Sequence, residues 1–196
     1  MATGLAARLL LRHYEHAYLA PGDVDRVVDE IFAIQEDIAL HIAGRIGPQV
    51  LAAEFARVRR KPPQSLSAWE CVIRALHHST QQSDAETRIA LDLLAQALVH
   101  EPDHAQALGM TAWLQVFRAF QGWEPMPDAL ARAEDLIARA LAIDNQELWP
   151  YLAQAMVAFA TRDNERAMAT LERALAISPS SVNAYGLLGI AHAFGG

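Results

Sequence analysis

Apolar side chains in this chain recur at helical spacing, and the punctuation between them is sparse. Ile31, Ile34, Ile38, Ile42 and Ile46 follow one another at steps of three or four, which places them on one face of a helix. Pro21-Gly22-Asp23 is a turn ahead of it, with Asp23 suited to cap the new helix. Glu30, Glu36, Asp37 and Arg45 fall largely elsewhere around the helix. Gly47-Pro48 ends or kinks it, because proline removes a backbone donor and restricts the residue before it. A shorter helix over 49–59 runs into the basic cluster Arg57, Arg59, Arg60 and Lys61, and Pro62-Pro63 closes the segment. The boundary expected here separates an N-terminal helical segment, 1–63, from a second domain, 64–196.

The second part carries an internal period. Ala90, Leu94, Ala97 and Pro102 share their offsets with Ala133, Ile137, Ala140 and Asn145, and again with Ala167, Leu171, Ala174 and Pro179. The last two sets lie 34 residues apart, and Arg139 to Ile143 recurs letter for letter as Arg173 to Ile177. Small alanines let two helices approach closely, the leucine or isoleucine fills the space between units, and proline or asparagine ends the helix. Ahead of each set, Leu108 with Ala112, Tyr151 with Ala155, and Tyr185 with Gly189 pair a large residue with a small one four positions on. The units are an irregular one over 66–104, one over 105–147, a regular one over 148–181, and a half unit over 182–196.

This 34-residue helix-turn-helix pattern resembles the tetratricopeptide repeat, from Leu66 to the C-terminus. The resemblance implies an all-α fold, a right-handed array of antiparallel helical hairpins preceded by an N-terminal helical segment. Two departures stand out. About nine extra residues around Gln121 to Pro127 predict a long loop in the second unit. The distance from Trp69 to Ala90 is about five residues too long, an excess expected in the polar stretch Ser79 to Asp84. In tetratricopeptide arrays the first helix of each unit lines the concave surface at unit positions two, five, nine and twelve. Carried over, these give Trp113, Val116, Trp149, Leu152, Met156, Phe159 and Ile190, either as an apolar groove for a partner helix or as core. Arrays that clamp a peptide carboxylate use lysine and asparagine at positions five and nine. Gly109, Trp113, Leu152 and Met156 stand there instead, so that activity is not implied.

The order of the parts carries a second resemblance. Ile31 to Ile38, Ala53-Glu54, Arg59 to Pro63, Leu66 to Trp69 and Glu101-Pro102-Asp103 follow as in the C-terminal half of bacterial signalling proteins. Those proteins join an adenylate-cyclase or DNA-binding regulator domain to tetratricopeptide-type repeats. Strands that would complete their sensor-like domain are missing, and nothing stands in for the metal-binding aspartates of the cyclase.

Composition narrows the function classes. Sixteen basic against 23 acidic residues give a net charge of -7 over 196 residues, a poor balance for holding nucleic acid or anionic lipid. The basic cluster Arg57 to Lys61 is short and lacks interleaved aromatics, and it reads as a solvated helix end. No apolar run approaches the length of a membrane span, so a cytoplasmic protein is expected. A single cysteine, Cys71, excludes an internal disulfide and a multi-cysteine metal site. It lies in an apolar helical stretch and is expected to be a buried thiol.

Eight histidines invite a metal hypothesis that their spacing does not support. His13 and His16 are three apart, His100 and His104 are separated by Pro102, and His77-His78 diverge on a helix. No nucleophile elbow, phosphate loop or dinucleotide fingerprint occurs. No cofactor, metal or catalytic residue is expected. The function expected is a non-catalytic protein–protein interaction or oligomerisation module of a bacterial signalling protein, binding an apolar or amphipathic helix or a second copy of itself. The alternative is the regulatory C-terminal segment of an adenylate-cyclase-like enzyme. Ile31, Ile34, Ile38 and Ile42, together with Leu187 and Phe194 of the half unit, are the candidate interface for self-association.

Overall fold

The computed structural model of the chain describes residue 50, residues 53–54 and 56–58, and residues 66–194. The stripe Ile31, Ile34, Ile38 and Ile42 lies outside the described residues. Within residues 66–194 seven helices follow one another: α1 (Ala68–Ser79), α2 (Asp84–His100), α3 (Ala105–Phe120), α4 (Met126–Ile143), α5 (Leu148–Ala160), α6 (Asn164–Ile177) and α7 (Val182–Phe194). No strand occurs among the described residues. Helices α1 and α2, α3 and α4, and α5 and α6 pack as hairpins, and each second helix also packs on the first helix of the next unit. The result is an all-α array of tetratricopeptide-like hairpins, ending in a single helix.

The repeat alanines explain why the hairpins close. Ala90, Ala97, Ala133, Ala140, Ala167 and Ala174 on the second helices are fully buried, as are Ala112 and Ala155 on the first helices. A methyl group at each of these places sets the distance between helix backbones, and Leu94, Ile137 and Leu171 fill what remains. Ser67 and Glu70 form a reciprocal capping box on α1, while Ser83, His104, Glu147 and Asp163 cap the starts of α2, α3, α5 and α6. These side chains satisfy backbone donors that have no partner within the helix.

Each hairpin turns through one left-handed residue: Gln82 (φ 49°), Gly122 (φ 73°) and Arg162 (φ 60°). After α3 and α5 the turn is a Schellman motif. The amides of Trp123 and Asp163 donate to Arg118 and Ala158, while those of Gly122 and Arg162 donate to Ala119 and Phe159.

The long loop expected in the second unit is not there. Only Gln121–Pro125 separates α3 from α4. The extra residues lengthen the helices instead, to 16 residues in α3 and 18 in α4 against 13 in α5 and 14 in α6. The stretch Ser79 to Asp84 likewise absorbs little of the first unit's excess, since α2 starts one turn earlier than its counterpart and runs to 17 residues. Insertions of three or four residues add about one helical turn and leave the apolar face in phase.

Candidate protein-interaction surface

Helical register fixes where the inner positions of each unit fall, and packing decides which of them remain open. Val116 and Leu152 have no exposed surface, and Trp149 and Met156 keep only 9% and 8%. Trp113 and Phe159 are half-buried and pack on the same core. Ile190, on α7, is 45% exposed. The cause of this gradient lies between α3 and α5. A Cβ at Gly109 would stand 2.6 Å from Cδ of Pro150 and 2.7 Å from its nitrogen, so only glycine allows the helices to meet here. Beside that contact the Trp113 and Trp149 rings meet edge to face, 6.1 Å apart at 72°, a favourable quadrupole arrangement. With α3 and α5 held this closely, Val116 and Leu152 are covered.

The far end of the array differs. Helix α7 packs chiefly on α6 and only marginally on α5. Leu187 points inward and is buried, and Asn164 at the start of α6 donates from Nδ2 to the Ala191 carbonyl, 3.0 Å away. Phe194 ends α7, and its side chain is outside the described residues. The outer side of α7 presents Val182 at 83% exposure, Tyr185 at 56% and Ile190. At position eight of the two preceding units, Ala112 and Ala155 lie buried in the array. Gly189 holds that position in α7. Among the described residues, no heavy atom comes within 4 Å of where a Cβ would stand on Gly189 or on Gly186. Nothing among the described residues occupies the place that a second helix would fill.

Composition makes the same point. Neither α5 nor α7 contains Asp, Glu, Lys or Arg. Eight of the thirteen residues of α5 are buried, as befits a helix in the middle of the array. Helix α7 has the composition of such a helix and is the last described element.

At the opposite end, Glu70 and Arg74 occupy positions five and nine counted from Trp69 at position four. Both are engaged by residues upstream of α1. Arg57 Nη1 donates to Glu70 Oε1 at 3.1 Å, and Arg74 Nη2 donates to the Val58 carbonyl at 2.6 Å. Val58 is fully buried in the core. Arg57 also donates to Glu54, which first, and Glu70 after it, raises the guanidinium pKa above its usual value. The sequence pattern gave no hint of this pairing, because Arg57 reads as one more charge in a basic run.

The remaining candidate chemistry has structural employment. His78 Nδ1 lies 2.5 Å from Glu86 Oε2 and ties α1 to α2, and His104 accepts from the Ala107 amide as the cap of α3. Among the described residues no three His, Cys, Asp or Glu side chains are grouped to hold a metal ion. Cys71 is buried, and that burial pushes its thiol up from the ordinary value, away from a reactive thiolate. No described helix is long and apolar enough to cross a membrane.

Arg118, on α3, is buried and paired with Asp84 at the start of α2. Its guanidinium lies 5.9 Å from the centroid of the Trp123 ring, which in turn meets Phe117 edge to face. Burial pushes the Asp84 carboxyl upward most, but hydrogen bonds from Arg118 and Arg88 together hold it below its usual value. Glu147, the cap of α5, shifts the other way. Its burial raises the carboxyl above the ordinary range, the Asp144 charge adds to this, and the Trp149 amide and His104 oppose it.

No protein-family model matches the chain. No curated protein matches it either. Among solved structures, it is similar to the first tetratricopeptide domain of Spaghetti (RPAP3) bound to the HSP90 peptide SRMEEVD. The TM-score is 0.43 at 18% identity, over 64% of this chain and 96% of that one.

Proposed function

We propose that this chain is a non-catalytic protein–protein interaction module whose open end receives an apolar or amphipathic helix. The observation that supports the reading is that no described residue fills the place beside Gly189, where the preceding units hold a buried alanine. A helix seated there would cover Val182, Tyr185 and Ile190, and full burial of such side chains contributes about 1.5–3 kcal/mol each before the cost of ordering the complex. The setting proposed, a bacterial signalling or regulatory protein of the cytoplasm, rests on the order of its sequence segments.

A labelled peptide with the sequence Asn164 to Ile177 serves as a probe, because it carries the residue pattern that closes the preceding units. The wild-type chain should bind it with a Kd of roughly 10–100 μM, that is, about 5.5–7 kcal/mol. Gly189→Glu should weaken binding at least tenfold, and a scrambled peptide should not bind. Equal binding of the native and scrambled peptides, or none to the wild type at ~1 mM, contradicts the reading.

A further inference from the structure

We propose that α1 carries a binding site for the C-terminal end of a helix, and that the chain's own residues 54–58 fill it in cis as a removable, autoinhibitory occupant. The site is independent of the reading of α7. Residues 53–54 and 56–58 are helical. A helix leaves its last carbonyls without intrahelical donors and favours basic side chains in its last turn. Val58 is such a position. The donor to its carbonyl within a helix would be the residue four on, and that is Pro62, which has no amide hydrogen. Arg74 Nη2 supplies the missing donor at 2.6 Å. One residue earlier, Arg57 Nη1 donates to Glu70 Oε1 at 3.1 Å, and the Val58 side chain is fully buried in the cluster that holds Cys71 and Val72. Helix α1 therefore reads three features of a helix end: a basic side chain, the apolar one after it, and a free carbonyl.

Helix α1 builds the acidic part of this site from its own residues. Glu70 is buried, and its second oxygen, Oε2, accepts from the Ser67 amide at 3.1 Å, while the Ser67 hydroxyl accepts from the Glu70 amide in return. That capping box fixes the carboxylate whichever guanidinium meets it. Arg57, by contrast, is 51% exposed, with its Nε and Nη2 held by Glu54 Oε2. Its contact reaches solvent, so a competing cation has a path to Glu70. Residues 59–65 tether the occupant to α1, and an equal helix end arriving in trans competes against an effective concentration of about 1 mM. The partner that fits is a helix ending in a basic residue followed by an apolar one. An acidic helix end is repelled by Glu70.

An isotope-labelled peptide of Gln49 to Arg59, amidated at its C-terminus, is the probe, and the full chain is the receiver. Arg57→Ala with Val58→Ser empties the site, and this variant should bind the peptide at least tenfold more tightly than wild type. Adding Glu70→Gln should remove that gain, since glutamine keeps the capping box but not the charge. A peptide carrying Arg57→Glu should not bind. In the wild type, the amides of residues 53–58 should exchange faster than those of α3 and α5, through a local opening. Peptide at about 5 mM, above the tether's effective concentration, should speed that exchange further and leave α1 protected. Binding that is indifferent to Glu70→Gln, or no binding to the emptied variant while its helices persist, overturns the proposal. If the emptied variant unfolds, the wild type decides: exchange of residues 53–58 only in step with α3 and α5, unchanged by the peptide, overturns it.

Discussion

Gly109 and Ala112 stand nearly one turn apart on α3 and set two different distances. Ala112 is a spacer with a methyl group, whereas Gly109 has no room for one beside Pro150. Gly109→Ala should therefore destabilise the chain by about 1–3 kcal/mol through overpacking, although alanine favours the helix itself. Thermal unfolding checks this, with Gly189→Ala as the control in which the same substitution stabilises. Glu147 gives a prediction in pH. Its folded pKa is raised, so the stability it contributes is present below the ordinary carboxylate range and lost as pH rises through the raised value. Glu147→Gln should melt above wild type at pH 7, and the difference should vanish near pH 4. The repeat alanines were legible in the sequence because their offsets recur. The burial of Val116, Leu152 and Met156 was not, since it depends on how closely Pro150 lets α5 approach α3, a pairing between distant residues that no periodicity records.

Helices in the irregular units grew where loops were expected. Polar runs such as Ser79 to Asp84, and the prolines of Gln121 to Pro127, read as loop in a linear pattern. Proline is nonetheless at home in the first turn of a helix, where its missing donor costs nothing, and Pro127 sits there in α4. The added first turn of α2 also has a task, for it carries Asp84 to Arg118 and Glu86 to His78. Asp84→Ala should lower the melting temperature by several degrees by leaving the Arg118 guanidinium buried without its carboxylate. Adding Arg118→Met should recover part of that loss, since an apolar pair in place of an ion pair leaves no charge stranded. Asp84 also opposes Glu147 in its linkage: its folded pKa is lowered, so its contribution is present at neutral pH and lost as pH falls through that value.

Across the described residues, α3 and α5 pack closely in the middle and the outer side of α7 is exposed. The period and hairpin order of the array were readable from residue spacing alone. Which inner residues remain open was not, because exposure is set by the distances between helices. Docking at α7, as proposed above, can be read from amide hydrogen exchange. The exchange of each helix should be followed in dilute protein, with and without the Asn164–Ile177 peptide. Slowing confined to α7 and the adjoining turn of α6, with α1 to α3 unchanged, is the result predicted. Unchanged exchange in α7 at saturating peptide, or protection appearing over α3 and α5 instead, would contradict it.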